Sequence, residues 1–150
     1  MKFENDEFSI TNDRQLLDLA LIHGFLRESY WAKGIPIETL SKALDNSLCF
    51  GLFQGERQVG FCRVVTDHAT FAYLADVFVI KSCQGRGLGK WLIACVLAHP
   101  ELQGLRRWLL ATADAHGLYQ QNGFVPLGKP ERFMEINVPD IYLRGPGAVQ

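Results

Sequence analysis

Apolar and polar positions alternate with two different periods along this chain, and the switches between them predict its elements. The run Phe3 to Ile10 reads as a short strand. "TNDRQ" follows with helix-start chemistry, since Asn12 or Asp13 can accept from exposed backbone amides. Leu16, Leu19, Ala20, Ile22, His23 and Leu26 then recur at helical spacing, so a helix is expected over 14–30. "KGIP" breaks it, and Pro36 opens a second helix toward Leu44. "SLCFGLF" and "QVGFCRVV" are strand-like, and "QGER" between them is a hairpin signal around Gly55. After the turn "TDHA" comes "TFAYLADVFVI", a long strand rich in aromatic and β-branched residues.

The glycine stretch "QGRGLGK" leads into a helix expected from Leu88 to Ala98 and stopped near Pro100. "RRWLLAT" reads as a buried strand. "DAHGLYQQ" reads as a short helix, with Gly123 placed as its left-handed C-terminal cap. "FVPLG" and "RFMEINV" are expected to close the domain as a pair of strands, and the end of the chain reads as a loose tail. The expectation is a single domain over 1–142 with a tail over 143–150. Strand, glycine loop, helix and strand in the middle form a βαβ unit, which requires some parallel pairing. Hairpins on either side make the whole an α/β (α+β) fold, with a mixed, mostly antiparallel sheet and helices on both faces.

Composition narrows the function. The 150 residues are 48% hydrophobic and 21% charged with a net charge of −1, which fits a globular domain. No basic stripe stands out, so a nucleic-acid partner is not expected. The longest uninterrupted apolar run, 91–98, is far shorter than the ~20 residues of a membrane span, so no membrane partner is expected either. "MKFENDEF" is charged rather than apolar, so no signal peptide is expected and a reduced, cytoplasmic protein is. The four cysteines, Cys49, Cys62, Cys83 and Cys95, form no CxxC pair and read as small buried hydrophobes. His23, His68 and His99 lack metal-ligand spacing, so no metal is expected. Asp114 and His116 bracket Ala115, but no G-x-S-x-G elbow supplies a serine for them.

The glycine stretch carries the strongest chemistry. A loop entering a helix exposes backbone amides with no intrahelical partner, at the positive end of the helix dipole. Glycines let such a backbone wrap an anion, and Arg86 and Lys90 add full charge nearby. Two familiar phosphate loops fail here. A P-loop needs GxxxxGK followed by Ser or Thr, but Gln84 takes the first glycine position and Trp91 follows Lys90. The dinucleotide fingerprint GxGxxG fails too, because Gly85, Gly87 and Gly89 give GxGxG.

"VFVIKSCQGRGLGKWLI" instead resembles the acetyl-CoA-binding signature of the GNAT N-acetyltransferase superfamily, with Gln84, Gly87 and Gly89 at its fixed positions. "GLYQQNGF" resembles that family's Tyr-x-x-x-Gly-Phe segment through Tyr119, Gly123 and Phe124, and the order of elements fits from Phe3 to Val138. The resemblance implies acetyl-CoA as co-substrate. It assigns Gln84, Gly85, Arg86, Gly87, Leu88, Gly89 and Lys90 to the CoA pyrophosphate. It also implies that Val77, Phe78 and Val79 lend their main chain to the pantetheine arm, on a strand that parts from its neighbour at a bulge. A homodimer is implied as well.

The implied reaction is direct acetyl transfer from a thioester to a primary amine of a small molecule, with Tyr119 matching the family's proton donor. A reference tyrosine near ~10 gives its proton to a thiolate near ~8.5 only uphill, by roughly 2 kcal/mol, which local tuning could erase. A lysine-like amine near ~10.4 must also lose a proton, at about 4.6 kcal/mol at pH 7. "YLADVFV" resembles polyamine acetyltransferases, but the first of their two acidic positions is Ala75 and only Asp76 remains. Asp76 then anchors a cationic substrate, acts as a base through water, or makes a structural hydrogen bond or salt bridge. Thr112 stands where many relatives carry an asparagine, and a hydroxyl cannot copy an amide. "ESYWAKGIP" occupies the region where the superfamily forms its acceptor pocket, so Tyr30 and Trp31, with Tyr73, are candidate substrate contacts. Arg132 and Phe133 are candidates to close that pocket from the other side. Two further readings stay open: acetylation of protein N-termini or lysines, and an acyl-CoA-binding sensor without catalysis.

Overall fold

Each strand of the sheet lies beside the next strand in sequence, so turns dictate most of the topology. The computed structural model describes residues 2–144. Strands β1 (Lys2–Asn5), β2 (Phe8–Thr11), β3 (Leu48–Gln54), β4 (Arg57–Thr66) and β5 (Phe71–Val79) pair antiparallel in that order. The last strand, β6 (Arg107–Leu109), runs parallel to β5. Helices α1 (Leu19–Leu26) and α2 (Ile37–Asp45) fall between β2 and β3, α3 (Leu88–Leu97) joins β5 to β6, and α4 (His116–Gln120) follows β6. This is the mixed, mostly antiparallel sheet that the βαβ unit and the hairpins predict.

Period-two alternation along the strands divides the interior into two cores. Phe50, Leu52 and Val64 pack with Leu92, Ile93 and Val96 of α3. Cys49, Phe53 and Phe61 point the other way and pack with α1 and α2 through Ile22, Leu26, Leu40 and Leu44. Full burial of such a side chain contributes roughly 1.5–3 kcal/mol, so the helices are held mainly by these faces. All four cysteines are buried and free. Burial pushes the Cys49 thiol up to about 12 and that of Cys95 to about 11, and raises Cys62 well above its ordinary value. These are packing residues rather than nucleophiles. Among the described residues, no helix is long and apolar enough to cross a membrane. No group of three or more His, Cys, Asp or Glu among them could hold a metal ion.

Three local expectations change. The strand expected over 3–10 is a hairpin, turned at Asp6, whose φ of 53° is left-handed. The helix expected over 14–30 divides into a 3-10 turn (Arg14–Leu16) and α1, because the Asp18 side chain accepts from the Leu21 amide at 3.0 Å and starts a new helix. The Gln58 side-chain Oε1 accepts from the Asp18 amide at 2.7 Å and ties that start to the sheet. The division ends α1 early and releases 27–35 as a loop, which sets the position of Tyr30 and Trp31.

The closing pair of strands does not form: neither 124–127 nor 133–138 joins the sheet. Pro126 and Pro130 remove two ladder donors from this region, and β6 offers only three paired residues. Gly123 does adopt the expected left-handed conformation, at φ 95°. Ile141–Leu143 form a 3-10 turn whose Tyr142 packs on the second core, while 145–150 of the expected tail lie outside the described residues.

Candidate active site

The pairing of β5 with β6 covers only Phe71↔Arg107 through Tyr73↔Leu109, and beyond it the two strands part. On its other side β5 carries a bulge. Arg63 pairs with Ala75 and Phe61 with Phe78, so β5 holds one more residue than β4 across that interval. The extra residue is accommodated at Asp76, whose φ of 55° is left-handed. The bulge and the parting of β5 from β6 leave room beside Val77, Phe78 and Val79.

That room is a cavity of about 620 Å³ bounded by β5, the glycine loop and α4. Gly85 and Gly87 have φ of 81° and 74°, and Gly87 is the N-cap of α3. A Cβ at either position would meet nothing within 4 Å, so the glycines satisfy the backbone and leave open space in front of it. Lys90 lines the same cavity. Gln84 donates from Nε2 to the Val79 carbonyl at 2.9 Å and so ties the loop back to the strand. Arg86 departs from the rest: its Nη1 lies 3.4 Å from Glu7 Oε1, its guanidinium sits over the Phe8 ring, and it faces a different hollow beside the β1–β2 hairpin.

A second cavity, of about 530 Å³, lies on the other side of Val77 and brings Tyr30, Trp31 and Tyr73 together with Arg63, Asp76 and Tyr142. Tyr30 and Trp31 meet edge to face at 5.0 Å. The Tyr30 hydroxyl accepts from the Ala113 amide at 3.0 Å, which clasps the loop after β6. Thr112 Oγ1 accepts from the Ala115 amide at 3.1 Å and so turns the chain just ahead of α4, whose own first amides receive no side-chain cap. Asp76 Oδ1 accepts from the Trp31 indole at 2.8 Å, and Oδ2 accepts from Arg63 Nε at 2.7 Å. Arg63 also donates from Nη1 to Ser47 Oγ at 3.2 Å. With side chains only 9% and 20% exposed, Asp76 and Arg63 form a largely desolvated ion pair. Arg132 and Phe133 line neither cavity; they lie beside β6 in a third hollow, where the Arg107 guanidinium sits 4.9 Å from the Phe133 ring centre.

The two cavities share Trp31, Val77, Asp114, Ala115 and Tyr119 as walls. Tyr119 stands at this junction, its ring edge-on to Phe124 at 5.9 Å. Burial first, then the neighbouring Cys62, Tyr30 and Asp114, push its pKa up to about 12. The phenol is therefore held protonated at neutral pH and is a weaker acid than a reference tyrosine. Sequence reading missed Arg63 and Tyr142. Arg63 left a signal, since it is the one charge between Val59 and Val65, and a cation in an apolar strand requires a partner. Tyr142 left none.

Comparison with known proteins places this arrangement. The family model described as an acetyltransferase (GNAT) domain matches residues 45–126. A relative from Gibberella zeae, described as an acetyltransferase, is 32% identical over an alignment covering 77% of each protein. A crystal structure from Xanthomonas campestris pv. campestris, described as an acetyltransferase of the GNAT family, is 52% identical. It superposes with a TM-score of 0.88 over 90% of this chain and 96% of that one. An acetyltransferase of Clostridium acetobutylicum solved with acetyl-CoA shares the fold, with a TM-score of 0.63 over 91% and 96% of the chains at 10% identity.

Proposed function

The chain belongs to the GNAT family of acetyltransferases, and from that premise we propose that it transfers the acetyl group of acetyl-CoA to a primary amine of a small molecule by direct attack. The observation that carries this reading is the meeting of two cavities at Tyr119, one walled by backbone and glycine, the other by aromatic side chains. The first suits the co-substrate. The open space in front of Gly85 and Gly87, the free amides at the start of α3 and the Lys90 ammonium together fit a pyrophosphate. Val77 and Phe78 offer main chain to the pantetheine arm where β6 has turned away. Arg86, committed to Glu7 and Phe8, has a structural role in this reading.

In the proposed reaction the acceptor nitrogen forms a bond to the acetyl carbonyl carbon, the carbon–sulfur bond breaks, and the sulfur leaves as a thiolate that takes up a proton. Tyr119, with its pKa near 12, would give that proton to a thiolate near ~8.5 only at a cost of about 5 kcal/mol. Its first role is therefore to donate a hydrogen bond as charge grows on sulfur. Proton transfer follows as burial raises the basicity of the thiolate toward that of the phenol. Asp76 has both oxygens engaged and its charge offset by Arg63, so we read it as a positioning residue that holds the Trp31 indole at the cavity wall.

With Asp76 committed to Arg63 and Trp31, the reading needs no base for an amine that arrives nearly deprotonated. At pH 7 that costs about 4.6 kcal/mol for a lysine-like amine but only about 1 kcal/mol for one near ~7.7. The aromatic cavity thus favours a weakly basic amine. Thiol release from acetyl-CoA, measured across aryl, hydrazide, α-amino and polyamine acceptors, tests this reading. Turnover is expected with weakly basic amines and is expected to fall sharply in Gly87→Glu and Tyr119→Phe. Turnover only with peptides overturns the small-molecule acceptor, and turnover led by polyamines overturns the weakly basic one. The neutralised Asp76 favours one other reading, an acyl-CoA sensor. Calorimetric binding of acetyl-CoA that Gly87→Glu abolishes, with no turnover on any amine, selects it.

A further inference from the structure

We propose that the Asp114 carboxylate takes the proton that the acceptor nitrogen must lose after it bonds to the acetyl carbon, an inference that rests on the acetyl-transfer reading. An amine that attacks the thioester keeps its hydrogens, so the adduct carries a surplus proton on nitrogen and a negative charge on oxygen. Breaking the carbon–sulfur bond re-forms the carbonyl and removes the charge on oxygen, but the nitrogen proton still needs a destination. A carboxylate is a poor base toward a free alkylammonium near ~10.4. Toward nitrogen already bonded to the acetyl carbon it is a competent one, because that carbon draws electron density from nitrogen and makes the N–H far more acidic.

Asp114 stands where that proton would be released. It lines both cavities at their shared wall, together with Tyr119. The aromatic cavity has one other acid among the described residues, Asp76, whose two oxygens are taken by Trp31 and Arg63. The loop-side cavity has no other acid among them. The Asp114 charge also reaches the phenol: after burial, Cys62 and Tyr30, it is the remaining cause of the raised Tyr119 pKa. A proton acceptor for nitrogen and a hydrogen-bond donor for sulfur thus share the junction at which the two substrates meet in the proposed reaction.

The fold makes no other use of this carboxylate. Among the described residues it has no hydrogen bond and no ion pair. It lies one residue ahead of Ala115, the N-cap of α4, yet gives that helix no side-chain cap. Its main chain, by contrast, is held on both sides. The Ala113 amide donates to the Tyr30 hydroxyl at 3.0 Å, and the amides of Asp114 and Ala115 donate to Thr112 Oγ1 at 3.4 and 3.1 Å. Tyr30 and Thr112 are themselves walls of the aromatic cavity. The cavity therefore fixes the backbone around Asp114 while the carboxylate stays available, which is the arrangement of a positioned proton acceptor rather than of a helix cap. The exposure of Asp114 gives the proton a way on to water, which restores the carboxylate for the next turnover.

Thiol release from acetyl-CoA, with the amine that the wild-type chain turns over best, is compared with Asp114→Asn, Asp114→Ala and Asp114→Glu. The Asn and Ala variants are expected to lose about a hundredfold in kcat, the scale of one positioned proton transfer, with acetyl-CoA affinity and circular dichroism unchanged. Asp114→Glu keeps a carboxylate and is expected to retain more activity than Asp114→Asn. Added formate, a carboxylate small enough for the space that Asp114→Ala opens, is expected to restore part of that variant's rate and to leave the wild type unchanged. An aspartate with only a structural role shows no such rescue. A kcat in Asp114→Asn close to wild type, a loss that falls on acetyl-CoA affinity instead of kcat, or no rescue of Asp114→Ala by formate overturns the role while acetyl transfer stands. A wild-type chain that turns over no amine overturns the acetyl-transfer reading and this role with it, so the wild-type rate tells the two failures apart.

Discussion

The two cavities that meet at Tyr119 are built from different material. The loop-side cavity is mostly backbone: left-handed glycines, the first amides of α3 and the parted edge of β5. The aromatic cavity is mostly side chain, gathered from the loop after α1, from β4, β5 and the far end of the chain. Backbone can bind only what every member of a family shares, such as a pyrophosphate, because amide geometry is fixed by the fold. Side chains can change the acceptor without disturbing it. In the proposed reading the difference puts generic binding on one side of Tyr119 and selectivity on the other.

The largest effect that sharpens this contrast is expected from Gly87→Glu. A side chain at φ 74° strains the loop and sets a carboxylate in front of the amides proposed to hold the pyrophosphate. Acetyl-CoA affinity should fall at least a hundredfold by calorimetry, with the melting temperature lowered by a few degrees, since the left-handed φ costs a residue with a Cβ about 1–2 kcal/mol while its side chain meets open space. Comparable affinity in the variant would mean that the loop is only a turn. At the junction itself, Tyr119→Phe should lower kcat at least tenfold and leave acetyl-CoA affinity nearly intact. The loss should persist from pH 6 to 9, since a phenol near 12 stays protonated throughout. A tyrosine titrating within that window would contradict its burial.

The same contrast explains what could be read from sequence. Gln84, Gly85, Gly87 and Lys90 could be named as candidates and do line one cavity, because a backbone-walled hollow is written in consecutive residues, where each glycine answers a local conformational demand. Tyr30, Trp31 and Tyr73 could be named as candidates and do meet in one cavity. Their partners could not, because Arg63 and Tyr142 reach that wall only through strand register and the return of the chain at Ile141–Leu143. Arg86 shows the converse error. Its position in the loop suggested the cavity, but a flexible side chain took the nearest carboxylate and ring, Glu7 and Phe8. The strands expected at 124–128 and 132–138 do not form because Pro126 and Pro130 withhold ladder donors and β6 offers only three residues, which the apolar pattern does not report.

The smallest effect bears on the side-chain half, where structure and selectivity compete for one residue. Asp76 sits at a left-handed φ, and Asn tolerates that conformation as well as Asp does, so Asp76→Asn changes charge with little change in backbone. It leaves the Arg63 guanidinium largely buried without its counter-charge. Removing one partner of a fully buried pair costs about 3–5 kcal/mol, and Arg63 is 20% exposed, so a loss of roughly 2 kcal/mol is expected on denaturant unfolding. The double variant Arg63→Met with Asp76→Asn should recover part of that loss, because it removes the orphaned charge. The amide oxygen of Asn can still accept from the Trp31 indole, so the acceptor KM should rise only a few-fold, with acetyl-CoA affinity unchanged. A collapse of kcat at unchanged stability would return Asp76 to the chemistry and place a base on the aromatic side.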